Sequence, residues 1–271
     1  MTRTYNSETV AELLAVAEAL ADAARKATLA HFRGADLAAD SKETDRFDPV
    51  TVADRASEDA MRAILAERRP DDAILGEERG TKAGTTGLTW VLDPIDGTRA
   101  YLSGTPTWGV LVGLTDADGA VLGIIDQPYI GERFIGAPGH ARVTGPQGTA
   151  PLRSRVARPL ADAIIFTTFP EVGTPEEGAA FHRLSRRCRL TRYGMDCYAY
   201  GLIAAGQIDL VVEAGLQAYD VVAPIAVIEA AGGIVTDWQG RPAHNGGRIL
   251  AAANAAIHAE ALALLSQVPD A

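Results

Sequence analysis

Acidic residues stand at the ends of several apolar runs in this chain. Asp93 and Asp96 follow the run "WVL", Glu77 follows "AILG", and Asp220 precedes an apolar helical run. Because ligands of layered α/β folds gather at strand ends, we expect these carboxylates to converge on one site. Such a cluster is unfavourable unless cations lie within it, and carboxylate oxygens are ligands that Mg²⁺ prefers.

The segment "DPIDGT" has the composition expected of a metal and phosphate site. Pro94 is predicted to fix the chain at the end of its strand, so that Asp93 and Asp96 turn toward one point. Gly97 allows close approach of the backbone. Thr98 is predicted to begin a short helix through "TRAYL", whose N–H groups favour a phosphate. An ordinary turn built from Asp, Pro and Gly remains the alternative for this stretch alone.

The other acidic residues also have simpler structural explanations. Asp54 suits the first turn of a helix, where the helix dipole favours negative charge. Asp220 suits a helix N-cap, with Pro224 tolerated only near the first turn of that helix. Glu77 and Glu78 suit a solvated loop. Only their joint occurrence, in this order and each at the end of an element, favours a common site.

Hydrophobic periodicity predicts the elements that hold these residues. The first half contains a helix with Thr9 and Glu12 as its capping box, a second helix from about residue 51, short strands, and a hairpin of "TWGVLVGLT" with "AVLGIID". The second half alternates strand and helix. The Gly/Pro-rich stretch 136–151 predicts a boundary between an α+β half (1–150) and an α/β half (151–271) of one catalytic unit. The pattern is typical of a layered α/β architecture.

Composition and charge limit the class of function. The 271 residues are 47% hydrophobic and 22% charged, as in ordinary globular proteins. A formal net charge of −10 disfavours nucleic acid or an anionic membrane as the main partner. Cys188 and Cys197 have neither disulfide-framework nor metal-ligand spacing. Without a signal-peptide stretch or an uncharged 18-residue run, we expect a cytoplasmic protein that does not span a membrane.

The ordered motifs resemble the inositol monophosphatase superfamily of Mg²⁺-dependent sugar and metabolite phosphatases. The matching segments are "DPVTVADRASE", "ILGEE", "WVLDPIDGTRAYLSGTPTWGVLVGL" and "YDVVAPIAVIEAAGGIVTDWQG", within residues 42–240. The resemblance implies a layered αβαβα fold, like that of fructose-1,6-bisphosphatase, and a homodimer that acts on a small-molecule phosphate ester.

The same resemblance implies two or three Mg²⁺ ions, with Mn²⁺ able to substitute. The implied ligands are four carboxylates and one carbonyl: Glu77, Asp93, Ile95, Asp96 and Asp220. The first ion would use Glu77, Asp93 and the Ile95 carbonyl. The second would use Asp93, Asp96 and Asp220, and a weaker third would use Glu77 with water.

The remaining roles implied by the resemblance concern phosphate and water. Gly97 and Thr98 would bind the phosphate, and Asp54 with Thr98 would deprotonate the attacking water, with Glu77 also in the catalytic set. Glu78 would support the site from behind. Lys42 aligns loosely near the site, in a loop over residues 42–50 that we interpret as a lid. The expected reaction is direct in-line attack by metal-activated water.

One segment points to a particular branch of the superfamily. "LTRYGMDCYAYGLIAAGQIDLVVEAGLQAYD" resembles the histidinol-phosphate phosphatases of histidine biosynthesis, and Arg99-Ala100 replaces the Thr-Asn typical of inositol-specific members. Asp196 and Glu213 would pair with the ammonium and imidazole of histidinol phosphate, and Arg99 would contact the substrate. Asp196 as the N-cap of the following helix, Glu213 as a surface residue and Arg99 in a surface ion pair remain alternatives.

Three other functions are alternatives to this hypothesis. The chain is alternatively an inositol-1-monophosphatase or a broad metabolite monophosphatase, which a substrate comparison separates. A non-catalytic regulatory binding protein on the same fold is the alternative of another class, although the intact acidic set argues against it. A dinucleotide-binding function has little support, because "AAGGIVTD" lacks G-x-G-x-x-G spacing.

Overall fold

The computed structural model describes residues 5–34, 39–41 and 49–269, so Lys42 and the predicted lid up to residue 48 lie outside the described residues. The helices are α1 (Ser7–Leu29), α2 (Val52–Arg68), α3 (Thr98–Ser103), α4 (Pro175–Ser185), α5 (Tyr198–Ala204), α6 (Ala218–Ala230) and α7 (Ala255–Leu265). A 3-10 turn spans Leu160–Asp162.

The strands follow the same chain order. They are β1 (Ala39–Ser41), β2 (Pro49–Thr51), β3 (Ala73–Gly76), β4 (Gly80–Lys82), β5 (Thr89–Asp96), β6 (Gly109–Asp116), β7 (Gly119–Gln127), β8 (Glu132–Ala137), β9 (His140–Gly145), β10 (Gly148–Pro151), β11 (Ile164–Thr167), β12 (Leu190–Tyr193), β13 (Leu210–Gln217), β14 (Ile234–Thr236) and β15 (Gly246–Ala252). The predicted hairpin of β6 and β7 and the alternation of strand and helix in the second half are confirmed.

Most of these strands lie in two mixed sheets. The eight-stranded sheet has the order β10-β9-β8-β7-β6-β5-β3-β4, in which only β3 and β5 are parallel neighbours. The five-stranded sheet has the order β12-β11-β13-β15-β14; β11 is parallel to β12 and β13, and β15 is antiparallel to its neighbours. β1 and β2 form a separate antiparallel pair.

The sheets and helices pack through apolar side chains into five layers. α1 and α2 cover one face of the eight-stranded sheet. α5 and α6 fill the space between the two sheets, and α4 and α7 cover the outer face of the five-stranded sheet. Burial of these apolar faces stabilises the layers. The αβαβα order expected from the resemblance is therefore confirmed.

The start of α1 differs from the prediction. Asn6 caps this helix, because its side chain accepts the Thr9 N–H at 2.8 Å. The predicted capping box of Thr9 and Glu12 is therefore wrong, since the helix begins one turn earlier, and Glu12 instead pairs with Arg69. Neither α1 nor any other helix in the described part of the chain is long and apolar enough to cross a bilayer.

The stretch predicted to mark a boundary forms strands rather than a connection. β9 pairs with β8 and β10 through two-residue turns, and Gly139 and Gly148 adopt positive φ of 75° and 106° at these turns. Pro138, Gly139 and Pro146 are thus hairpin-turn residues. The division of the chain at residue 150 stays a prediction.

A row of glycines lets α6 lie close to the eight-stranded sheet. Gly113, Gly123 and Gly136 are cross-strand neighbours on β6, β7 and β8. A Cβ on Gly123 would lie 2.2 Å from the carbonyl oxygen of Ala223, and one on Gly136 would lie 2.4 Å from that of Ala226. Because no side chain fits there, the glycine row sets the position of α6 and of the acidic residue in its first turn.

We expect Gly123→Ala to lower the free energy of unfolding by about 1–3 kcal/mol, because the added methyl group overpacks against helix backbone. Urea unfolding measures this loss. Gly145→Ala is the matched control, since the group nearest its Cβ is the Glu132 side chain, at 3.0 Å, rather than helix backbone. Equal stability of the two variants would show that the glycine row does not set the position of α6.

Candidate metal centre

Asp93 and Asp96 both lie on β5, which continues past Pro94. The prediction that Pro94 ends the strand is wrong, because the pairing with β6 shifts register between Asp93 and Asp96, and proline is tolerated in such a bulge. Residues three apart on a regular strand face opposite sides of the sheet. The bulge removes this alternation, so both carboxylates reach the same site. Within the bulge, the Ile95 N–H donates to Asp93 Oδ1 at 3.0 Å.

Asp220 lies in the first turn of α6, three residues after the N-cap, Gln217. Its Oδ2 accepts the Gln217 N–H at 2.6 Å, so Asp220 closes a capping box and is not itself the N-cap. Pro224 lies inside the helix, beyond its first turn, contrary to the prediction. Proline has no N–H, so the helical bond to the Asp220 carbonyl cannot form.

The carboxylates of Asp93, Asp96 and Asp220 form a cluster, with one oxygen of each within 4.8 Å of the others. Burial raises the pKa of Asp93 well above its usual value, and the charge of Glu77 raises it further. Burial also raises the pKa of Asp96. Carboxylates held this way repel one another, and their oxygens are the donors that a hard divalent cation requires. The residues therefore fit Mg²⁺.

Glu77 extends this cluster from the neighbouring strand. It follows the last residue of β3, as predicted, and its N–H donates to the Leu92 carbonyl at 3.1 Å. A hydrogen bond between the carboxyl groups of Glu77 and Asp93 raises the pKa of Asp93. The pairing of parallel strands β3 and β5 thus places the two acidic residues side by side.

Glu58 is a buried residue that ends the motif "DPVTVADRASE", and no role was predicted for it. Its Oε2 accepts the Glu78 N–H at 2.7 Å and its Oε1 accepts the Arg79 N–H at 3.2 Å. Arg62, one turn later on α2, pairs with Glu58 at 2.7 Å. Glu58 therefore holds the turn that follows Glu77, and its i, i+4 spacing with Arg62 is the signal that the sequence contains.

Asp54 is the buried first-turn residue of α2. Thr51, the N-cap, donates to Asp54 Oδ2 through its N–H at 2.8 Å and its hydroxyl at 2.5 Å. The other oxygen, Oδ1, is buried and has no hydrogen-bond partner among the described residues. Burial raises the pKa of Asp54 to about 6, and the charges of Glu78 and Glu77 add to this rise. Asp54 is thus a carboxyl with one oxygen available and a pKa near neutrality.

Gly97 and Thr98, the predicted phosphate residues, come directly after Asp96 in the chain. α3 begins at Thr98, as predicted, and the Thr98 hydroxyl donates to the Ile95 carbonyl at 3.2 Å. Gly97 has a φ of +85°, and a Cβ on it would lie 2.7 Å from Asp196 Cγ. Only glycine meets both requirements. The phosphate role of Gly97 and Thr98 stays a prediction.

Asp196 lies against Gly97 and does not cap α5. Cys197 is the N-cap of that helix and makes no side-chain cap bond, so the N-cap alternative for Asp196 is wrong. Asp196 Oδ2 accepts the Thr107 hydroxyl at 3.0 Å, and the residue has a φ of +46°. Burial raises its pKa. The next residue, Cys197, donates its N–H to Asp96 Oδ2 at 2.5 Å, which joins this segment to the metal cluster.

Glu213 is buried inside β13, so the alternative of a surface residue is wrong. The register with β15 shifts after Glu213. Its Oε1 accepts the Thr168 N–H at 3.0 Å and hydroxyl at 2.7 Å. Burial raises the pKa of Glu213 to about 7, and the charge of Asp196 contributes. Asp196 and Glu213 therefore form a second acidic group, called here the acidic pair.

Arg99 lies near Asp196, one member of the acidic pair. Its positive charge lowers the pKa of Asp196, against the larger effect of burial, and its guanidinium carbon lies 5.0 Å from the ring centre of Phe169. The structure therefore brings together Asp196, Glu213 and Arg99, the predicted substrate residues. Thr107 and Thr168, which orient the acidic pair, were not predicted, because their partners are distant in sequence.

Comparisons with known proteins place this geometry in context. The model of the inositol monophosphatase family matches residues 9–270. A histidinol-phosphatase of Streptomyces coelicolor is 37% identical over 262 residues, which cover 94% of this chain and 97% of that protein. The chloroplastic bifunctional phosphatase IMPL2 of Arabidopsis thaliana is 40% identical over 230 residues. These cover 84% of this chain, and this chain spans only 64% of the length of the Arabidopsis protein.

A solved structure shows the same fold. An inositol monophosphatase from Zymomonas mobilis superposes with a TM-score of 0.84 at 38% sequence identity, over 97% of this chain and 100% of that one.

Asp220→Asn is expected to weaken Mg²⁺ binding by more than about tenfold, since even residues that only support metal ligands contribute about 10–100-fold. Asparagine keeps the acceptor for the Gln217 N–H, so α6 remains capped. In EDTA the variant should unfold at the same temperature as the wild type or higher, because one repelling charge is lost. Thermal unfolding with increasing Mg²⁺ measures both effects. Asp71→Asn, at an exposed position, is the control; an unchanged response of Asp220→Asn to Mg²⁺ would exclude this metal site.

In EDTA, thermal stability is expected to fall from pH 5 to pH 8. The pKa values of Asp54 and Glu213 rise on folding from 3.8 to about 6 and from 4.5 to about 7. The folded state then binds more protons than the unfolded state. The stability that the two protonated carboxyl groups contribute is therefore complete below about pH 4 and is lost as the pH rises past 6 to 7. Melting temperatures across this range test the sign. Glu213→Gln should flatten the fall above pH 6; a wild-type melting temperature that rises with pH would contradict the assignment.

Proposed function

The chain belongs to the inositol monophosphatase family and is a hydrolase of phosphoric monoesters, and we propose that its substrate is L-histidinol phosphate. The products would be L-histidinol and phosphate, in histidine biosynthesis. The similarity to a histidinol-phosphatase over nearly its full length supports this choice. The observation that carries it is the acidic pair beside the predicted phosphate segment.

The acidic pair matches the charges of histidinol phosphate. Beyond its phosphate this ester carries an ammonium group and a partly protonated imidazole, and carboxylates bind both by charge-assisted hydrogen bonds. Asp196 lies against Gly97, so a phosphate held there would present the rest of the ester to the pair. An uncharged polyol would leave two buried carboxylates without cationic partners, which is costly.

The metal ligands in this proposal are those of the carboxylate cluster. Glu77, Asp93, Asp96, Asp220 and the Ile95 carbonyl would hold two or three Mg²⁺ ions, which Mn²⁺ can replace. When bound, these ions would neutralise the phosphate dianion, stabilise the leaving alkoxide and lower the pKa of the attacking water. The net charge of −10 makes local cations necessary for an anionic substrate.

Asp54 is the proposed proton acceptor. Thr51 occupies its Oδ2 with two hydrogen bonds, which leaves the buried Oδ1 to accept the proton of the attacking water. A pKa of about 6 is suited to a base that works near neutral pH. Thr98 would orient this water through its hydroxyl, and the backbone N–H groups of Gly97 and Thr98 would bind phosphate oxygens.

The proposed enzyme is a homodimer in the cytoplasm. A homodimer is expected for this family, and we extend that expectation to this chain. Cys188 and Cys197 are both free thiols, which agrees with a reducing compartment such as the cytoplasm.

An inositol monophosphatase is the second candidate. The Zymomonas mobilis protein of that name shares 38% of its sequence and the fold with this chain. The acidic pair distinguishes the candidates, because it gives no advantage to a polyol ester. A purely binding role on the same fold predicts no phosphate release from any ester.

A substrate comparison tests the proposal. With Mg²⁺, kcat/KM for histidinol phosphate should exceed that for inositol 1-phosphate, and EDTA should abolish both activities. Asp196→Asn should lower kcat/KM for histidinol phosphate by about 10–100-fold, the range of a lost hydrogen bond to a charged group, and change that for inositol 1-phosphate far less. Phosphate release is the measurement.

Asp71→Asn again controls for a general loss of negative charge. Equal losses for both esters in Asp196→Asn would show that Asp196 does not recognise a substrate cation. Faster wild-type turnover of inositol 1-phosphate would favour the second candidate.

A further inference from the structure

Phe169 places an aromatic ring at the edge of the candidate site. The residue follows β11 and is 46% exposed. Single exposed apolar side chains are common on protein surfaces, so exposure alone explains nothing. Phe169 differs from such residues because its neighbours Thr168 and Arg99 are polar and act on the acidic pair.

Two neighbours of Phe169 act on the two members of the acidic pair. Thr168, the residue before it, holds Glu213 with its N–H and its hydroxyl. The Arg99 guanidinium, which lies 5.0 Å from the Phe169 ring centre, acts electrostatically on Asp196. The ring therefore lies next to a residue that binds Glu213 and a residue that acts on Asp196, which is where we expect the cationic part of the substrate.

We propose that Phe169 is a specificity-determining residue whose exposed ring surface contacts the imidazole ring of the substrate, with Arg99 as the residue that orients Phe169. This inference rests on the proposed function. A cation over one part of the phenyl ring fixes its direction, and the exposed remainder is available to a ligand. Aromatic rings favour stacked or edge-to-face contact with one another, whereas a polyol ring carries hydroxyl groups that lose water without gaining partners.

Phe169→Ala tests the contact. We expect the KM for histidinol phosphate to rise roughly tenfold, the effect of losing a good aromatic pair, while kcat stays within about twofold. Hydrolysis of inositol 1-phosphate should be nearly unchanged. Phe169→Tyr should retain the low KM, whereas Phe169→Leu, apolar but without a π system, should resemble Phe169→Ala. Inhibition by free L-histidinol, which lacks the phosphate, should weaken in parallel with the rise in KM.

Tyr193→Ala is the matched control. Tyr193 is 41% exposed, and its ring contacts Phe181 at a centroid distance of 6.3 Å rather than Arg99. Its KM for histidinol phosphate should equal that of the wild type. Melting temperatures identify any variant that fails to fold.

The outcomes separate this inference from the proposed function. A wild-type enzyme without preference for histidinol phosphate would overturn both. A wild-type preference that survives Phe169→Ala, or a Phe169→Leu variant as good as the wild type, would overturn only the ring contact. Equal losses for both esters in Phe169→Ala would also overturn it, because they indicate a general structural effect.

Discussion

Mutual repulsion among clustered carboxylates is the constraint on which the rest of this structure depends. Asp93, Asp96 and Asp220 meet with oxygens less than 5 Å apart, and Glu77 hydrogen-bonds to the first of them. A fold does not bring these groups together for stability, since each raises the cost of ionising the others. The cluster becomes favourable only with cations, and the same cations allow an acidic protein to bind an anionic ester.

Three features of the fold hold the repelling carboxylates in place. The bulge in β5 turns Asp93 and Asp96 to one side, and Glu58 holds the turn after Glu77. The glycine row under α6 fixes the helix that carries Asp220. Each of these features acts on the backbone that carries the carboxylates, and backbone N–H groups also bind one oxygen of Asp93, Asp96 and Asp220. Rigid positioning of this kind is what electrostatic catalysis requires.

Much of the fold and the candidate site could be predicted from the sequence, for identifiable reasons. Periodic apolar runs predicted the helices and the β6–β7 hairpin. The ordered motifs predicted the acidic residues at element ends. What could not be predicted depends on pairing between distant segments. The bulge at Pro94 exists only against β6, and the burial of Glu213 follows from pairing with β15 and from Thr168. The strands within residues 136–151 were missed because turn-rich composition outweighed a weak strand pattern.

A crystal structure of the chain grown with Mn²⁺ is the decisive experiment on the carboxylate cluster, because anomalous scattering locates the ion. We expect manganese coordinated by Asp93, Asp96 and Asp220 at roughly 2.0–2.6 Å, the range of hard-cation–oxygen bonds. Manganese bound only elsewhere, with the Asp220 carboxylate directed away from Asp93, would contradict it.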